Sequence, residues 1–327
     1  MKNSEKNKVH QRKRNLIILV ILIILVTILG GGYYFWNQNA SETGSGISEE
    51  GAKGQAVTDE NTVQYQGNTY KYNDHLSNYL FMGIDTRDNV DSYESQADAG
   101  QADAIFLVSM DRATEQLKVL FIPRDSMTKI EVLNPSGKSF GMTTDHINIQ
   151  YAYGDGKQKS CELMKTAVSN MLNGLPIQGY CSMNMDGIST ISLEEVNPDF
   201  KEGASVTLTG ENAEQFVRYR DTEKSQSALV RQERQKTYLQ ALLKKVQEQA
   251  SEDAGFVTDL YDSIRDYTVT NMGNDIFAKL LVASRNGIAD TQTVPGKGTE
   301  GENFDEYQID ENKLSEMIIS MFYEKMD

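Results

Sequence analysis

Three short apolar runs, each bounded by charged residues, limit what this chain can fold into. Tyr79–Ile84 (YLFMGI) ends at Asp85, Ala104–Met110 (AIFLVSM) follows Asp103, and Leu117–Ile122 (LKVLFI) stops at Pro123-Arg124-Asp125. Runs this short and this continuous suit strands covered on both faces rather than helices. The second and third flank an Asp111–Gln116 turn, a hairpin signal. Helical spacing of apolar residues marks His146–Tyr153, Ser160–Leu172, Leu229–Ala250, Phe256–Tyr267, Asp275–Arg285 and Leu314–Tyr323. Ile177–Met185, Ala204–Leu208 and Ile288–Val294 read as further strands, and Thr209 as the N-cap of a helix through Phe216. Tyr65–Lys71 has the look of a small edge hairpin, and the stretch between Asp125 and His146 that of a Gly/Pro/Ser-rich loop. Strands interleaved with helices, without repeats, predict an α/β fold: a single domain with a central mixed sheet flanked by helices, in two or three layers.

A different kind of segment precedes this body. From Leu16 the chain carries no charge until Glu42, and Leu16–Leu29 is wholly apolar apart from Thr27. Continued to Trp36 it gives a stretch of about twenty residues, enough to cross a bilayer core. Tyr33, Tyr34, Phe35 and Trp36 supply an aromatic belt at one end. Lys2, Lys6, Lys8, Arg12, Lys13 and Arg14 mark the other as cytoplasmic. A cleaved signal peptide is the competing reading, but bulky aromatics occupy the place of a small-residue cleavage site. The predicted organisation is a basic cytoplasmic tail (1–15), one N-terminal transmembrane helix (16–36), a flexible extracytoplasmic linker (37–64) and an extracytoplasmic folded domain (65–327). The chain is thus expected in the cell membrane as a single-pass protein.

Charge separates the two parts. The first fourteen residues hold six basic side chains against Glu5, so removing their +5 from the total of −15 leaves −20 on the rest. So acidic a body is unsuited to nucleic acid, and no nucleic-acid partner is expected. Any anionic ligand must be held by a local cluster, and one is visible. Past residue 14 the chain has nine arginines, of which Arg218, Arg220, Arg231 and Arg234 fall within Val217–Gln235. In an extended Val217–Arg220, Arg218 and Arg220 project from one face. In a helix from Ala228, Arg231, Arg234 and Gln235 share another. Converging guanidinium forks suit a multiply charged phosphate, although a solvated basic face has the same composition.

Strand ends are where ligands bind in open α/β sheets, which singles out Asp85, Arg87, Asp103, Arg124 and Asp125. Asp85 and Asp103 offer hard oxygens suited to Mg2+ (or Mn2+), or they serve as loop caps and partners for Arg87. Walker-type, HExxH, CxxC and GxSxG patterns are all absent. Cys161 and Cys181 either pair or remain free thiols, and His10, His75 and His146 stand in no informative relation to them.

Taken in order, FMGIDTR, QADAIFLVS, LFIPRDS, HINIQYAYGDG, YCSMNMDGI, LTGENAEQFVRYR and LVRQERQK resemble the LytR–CpsA–Psr family of membrane-anchored wall phosphotransferases, across most of Tyr79–Val246. The resemblance implies transfer of a glycopolymer, of teichoic acid or capsular polysaccharide type, in a Gram-positive wall. The donor would be a polyprenyl-pyrophosphate carrier, the acceptor peptidoglycan, and the product a phosphodiester. It further implies that Asp85, Asp103, Arg124 and Arg231 are catalytic, with Asp85 and Asp103 holding the metal. Arg87, Arg124, Arg218, Arg220, Arg231 and Gln235 would bind the pyrophosphate. Gln101 stands where the family usually has arginine, and Lys236 where a second glutamine is common. A sensor of prenyl pyrophosphate or wall polymer, and a prenyl-pyrophosphate hydrolase, are the alternatives that the same residues permit.

Overall fold

A computed structural model of the chain describes residues 62–186, 216, 219, 229, 231, 262, 264–284, 286–301 and 304–326. The expected anchor and almost all of the linker lie outside them, as do Ala204–Leu208, Thr209 and most of Leu229–Ala250. Among the described residues no helix is long and apolar enough to cross a membrane.

The body opens with a hairpin of β1 (Thr62–Tyr65) and β2 (Asn68–Tyr72), beginning three residues inside the stretch read as linker. Its turn, Gln66-Gly67, has φ of 47° and 77°, the doubly left-handed geometry that matches the twist of two-residue hairpins. β3 (Leu76–Ile84) and β4 (Ala102–Asp111) follow, and then β5 (Leu117–Ile122). Asp111 closes the β4–β5 turn by accepting from the backbone N–H groups of Ala113 and Thr114.

The region after Asp125, read as a loop, is instead an antiparallel ribbon of β6 (Met127–Leu133) and β7 (Ser139–His146). β7 is largely polar and exposed, and β6 buries only Ile130 and Leu133, three positions apart, so the ribbon lacks the period-two alternation that marks a half-buried strand. A 3-10 segment over Ile147–Tyr153 leads to α1 (Gln158–Met171) and to β8 (Gly179–Asn184). Beyond come β9 (Thr268–Thr270), α2 (Asn274–Ser284), β10 (Ile288–Thr293), β11 (Gly296–Glu300), β12 (Asp305–Ile309), α3 (Glu311–Phe322) and β13 (Tyr323–Lys325).

The central sheet runs β10-β5-β4-β3-β8-β9. β3, β5, β8 and β10 point one way and β4 and β9 the other, so the sheet is mixed. All nine residues of β3 are buried, because side chains alternate between two covered faces. On one face Leu80, Met82, Ile84, Leu107 and Leu120 pack with Met164 and Val168 of α1 and Leu314 and Ile318 of α3. On the other, Phe81, Phe106 and Phe121 lie side by side across three strands, with ring centroids 5.6 and 6.2 Å apart. α2 lies against β5 and buries Phe277, Leu280 and Leu281.

Those two faces decide the cysteines. Cys161 belongs to the first core with Tyr180, and its thiol donates to Ser182 Oγ at 3.4 Å. Cys181 is cross-strand neighbour to Phe81 and faces the second. Both thiols are therefore free and buried, with the sheet between them. Burial pushes the Cys161 thiol up to about 12 and raises Cys181 as well, since neither thiolate would be solvated.

Candidate active site

The shared direction of four strands gathers their carboxyl ends at one edge of the sheet. Asp85 follows β3, Arg124 and Asp125 follow β5, and Asp186 follows β8, while Asp103 sits at the start of the opposed β4. Pairing of β3 with β4 goes from Gly83↔Ala104 to Ile84↔Ala102, so Asp103 is the extra residue of a β-bulge. Bulges re-aim a side chain, and this one frees Asp103 from the alternation of its strand.

Asp103 is where two distant parts of the chain meet. Its Oδ1 accepts from Arg124 Nη1, and its Oδ2 accepts from Arg231 Nη1 at 2.8 Å. The side chains are 13% exposed for Asp103, 19% for Arg124 and 9% for Arg231, so the three charges interact with little screening. Arg124 also donates through Nε to Asp125 Oδ1 at 3.1 Å and through Nη2 to Gln101 Oε1 at 3.2 Å. Its turn is pinned by backbone bonds from Ser126 to Pro123, Asn148 to Arg124, Ile147 to Ser126 and Tyr307 to Asp125.

Asp85 is tied to the same network by backbone. The Gln101 N–H donates to Asp85 Oδ1 at 2.6 Å, and the Asp85 N–H donates to the Gln101 carbonyl at 3.1 Å. Gly100, at φ +66°, makes this approach possible. A Cβ there would strike Thr86 Cγ2 and come within 2.7 Å of Asp85 Oδ1. Asp85 itself is exposed.

The remaining expected residues are placed as follows. Arg87 donates to Asp186 Oδ1 at 2.8 Å, and the Asp88 N–H donates to Asp186 Oδ2 at 2.7 Å, on the exposed flank of the site. Arg218, Arg220, Gln235 and Arg234 lie outside the described residues. Two participants were not singled out by sequence as site residues: Gln101, noted only as a departure, and Asn148, whose Nδ2 donates to Gln101 Oε1 at 2.9 Å. The signal for Asn148 was a polar residue inside the apolar HINIQYAY stretch.

A divalent cation fits this donor set. Asp85 is exposed with one oxygen engaged by a single N–H, and each oxygen of Asp103 accepts one bond while a carboxylate oxygen can accept two. No group of three or more His, Cys, Asp or Glu side chains is placed to hold a metal ion among the described residues, so further ligands to such an ion would come from outside this pair.

A family model described as the LytR_cpsA_psr family matches residues 34–196 and 190–322. The chain is similar to the polyisoprenyl-teichoic acid–peptidoglycan teichoic acid transferase TagU of Bacillus cereus, at 28% identity over 233 residues, covering 67% of this chain and 68% of that one. It is equally similar to the TagU of Bacillus subtilis, at 28% over 256 residues, covering 73% and 74%. Among solved structures, Bacillus subtilis TagV superposes with a TM-score of 0.51 at 23% identity, over 75% of this chain and 96% of that one. TagT bound to LI-WTA gives 0.50 at 19%, over 76% and 89%. At these identities the structures speak to the fold, which is shared.

Proposed function

The chain belongs to the LytR–CpsA–Psr family, and from that premise we propose that it transfers a glycopolymer from a polyprenyl-pyrophosphate carrier to peptidoglycan. The relatives named above are teichoic acid transferases that use a polyisoprenyl-linked donor. The observation that carries the reading is Asp103 clamped between Arg124 and Arg231 at the carboxyl ends of the strands. A carboxylate so held sets two guanidinium forks around one point, the arrangement a diphosphate needs.

In the proposed reaction a peptidoglycan hydroxyl oxygen attacks the phosphorus that bears the polymer. The new P–O bond makes a phosphodiester, and the bond to the bridging oxygen breaks. Its electron pair leaves with polyprenyl phosphate. Asp85, exposed and beside the cluster, takes the hydroxyl proton, whereas Asp103 lies withdrawn from solvent between Arg124 and Arg231. Arg124 and Arg231 offset the charge that grows on the leaving oxygen, with Arg218, Arg220, Arg87 and Gln235 as further phosphate ligands. Mg2+ held by Asp85 and Asp103 would supply additional positive charge at the diphosphate. An N-terminal membrane anchor would raise the effective concentration of a lipid-linked donor.

The test uses the purified full chain with a synthetic prenyl-pyrophosphate-linked glycan and a peptidoglycan oligomer. Arg231→Ala and Asp85→Ala should each lower polymer attachment at least about a hundredfold, the order set by losing one charge-stabilising or proton-accepting group. Unchanged attachment by both folded variants would refute the proposal. Release of prenyl phosphate without need of the oligomer would instead indicate a hydrolase.

A further inference from the structure

The carboxamide of Gln101 has its orientation dictated by its neighbours. Arginine nitrogens only donate, so contact with Arg124 Nη2 at 3.2 Å means that the oxygen of Gln101 faces it. The same oxygen must then receive the NH2 of Asn148, at 2.9 Å. Asn148 is 1% exposed, and its own Oδ1 has no hydrogen-bond partner among the described residues. Turning that amide over would set oxygen against oxygen, so Asn148 keeps an orientation that leaves a buried acceptor unmatched. With Oε1 engaged twice, the Gln101 NH2 is directed away from both donors. It makes no hydrogen bond with any described residue, and the half-buried side chain stands beside Asp85, Asp103 and Arg124.

We propose that Gln101 is a phosphate-binding and positioning residue: its oxygen holds Arg124 in line with Asp103, and its NH2 donates to an oxygen of the bound diphosphate. Acceptance from a guanidinium polarises the amide and strengthens its N–H donors. The chain thereby keeps a donor at the position where its resemblance to the family places an arginine, without a third guanidinium competing with Arg124 and Arg231 for Asp103. Asn148 acts only through Gln101, as a buried brace. This inference rests on the diphosphate reading of the site.

The experiment measures transfer by the full chain, with the same glycan-pyrophosphate donor and peptidoglycan oligomer, for Gln101→Leu, Gln101→Glu, Asn148→Ala and the Gln101→Leu/Asn148→Ala pair. Loss of a bond to a charged group predicts a fall in kcat of about ten- to a hundredfold for Gln101→Leu. Gln101→Glu retains the acceptor for Arg124 and Asn148, so its melting temperature should hold while KM for the donor rises roughly tenfold. Asn148→Ala should cost less than Gln101→Leu, and the pair no more than Gln101→Leu alone, because both act through one contact. Should Asn148→Ala fail to fold, the two Gln101 variants decide the matter, since that residue is only half-buried. Wild-type kinetics in Gln101→Leu, or losses that multiply in the pair, would overturn the inference. Arg231→Ala separates the two readings: if it is inactive while Gln101→Leu is normal, only the role of Gln101 fails. If Arg231→Ala is also normal, the diphosphate site itself fails.

Discussion

Asp103→Asn is the perturbation that bears most directly on the cluster, because it keeps shape and removes charge. The carboxylate accepts from Arg124 and from Arg231 on separate oxygens, in side chains only 9–19% exposed. Asparagine keeps one acceptor and turns an NH2 toward the other guanidinium. One charge-assisted bond is lost, worth about 1.5–3 kcal/mol. Two like charges roughly 5 Å apart also lose their shared counter-ion, a repulsion of about 3 kcal/mol at an effective dielectric near 20. Asp125 and Gln101 still bond Arg124, and residual solvent screens the pair, so the net destabilisation should be about 3 kcal/mol. For a body of this size that lowers the melting temperature by roughly 6–12 °C. Inorganic pyrophosphate in metal-free buffer should then restore more stability to Asp103→Asn than it adds to the wild type, since it supplies the missing negative charge. At a hundredfold excess over its Kd the gain is about 2.7 kcal/mol. Thermal unfolding with and without pyrophosphate reads both effects. A variant melting within about 2 °C of the wild type, or a larger pyrophosphate shift in the wild type, would refute the claim that Asp103 neutralises these arginines.

Gly100→Ala should destabilise the fold by at least about 1 kcal/mol, since φ is +66° and the new methyl group meets Thr86 and Asp85. Urea unfolding would show this, and a fall in transfer with bound substrate unchanged would trace it to a displaced Asp85. Native protein should leave Ellman's reagent unreacted near neutral pH and titrate two thiols per chain only in guanidinium, because both cysteines are buried. Rapid labelling of the folded protein would contradict that placement. The Cys161 thiol, ordinarily at 9.0, is pushed up to about 12 by burial. Its stabilising contribution is whole below pH 9 and is lost as pH rises toward 12, because the unfolded chain gives up the proton first. The urea midpoint should therefore fall more steeply between about pH 9 and pH 12 in the wild type than in Cys161→Ala.

Legibility in the sequence followed how each element is buried. The expected strands Tyr79–Ile84, Ala104–Met110 and Leu117–Ile122 all fall within β3, β4 and β5, because strands covered on both faces are written as unbroken apolar runs. The β6–β7 ribbon escaped because β7 is largely exposed and β6 buries Ile130 and Leu133 at a spacing of three, so no period-two pattern marks either strand. For the site, residue types and strand ends pointed to Asp85, Asp103 and Arg124. The contact of Asp103 with Arg231 spans 128 positions and depends on a bulge that no local pattern announces. Gln101 was visible as a change of residue type, whereas its bonds to Arg124 and Asn148 come from a turn and a 3-10 segment brought together by the fold.

An acidic body is consistent with the proposed phosphate site once the ranges of the forces are compared. The −20 carried beyond residue 14 is spread over the surface, where salt at physiological strength screens it beyond roughly 8 Å. Arg124 and Arg231 are largely withdrawn from solvent and act through a lower effective dielectric, so at contact they outweigh the distant carboxylates. Asp103 keeps them together while the site is empty. A lone pair of half-buried guanidinium groups would repel and swing toward water, whereas a carboxylate braced between them holds their spacing in advance. In the proposed reaction a diphosphate entering that space would meet donors already oriented, with the ordering cost borne by folding rather than by binding.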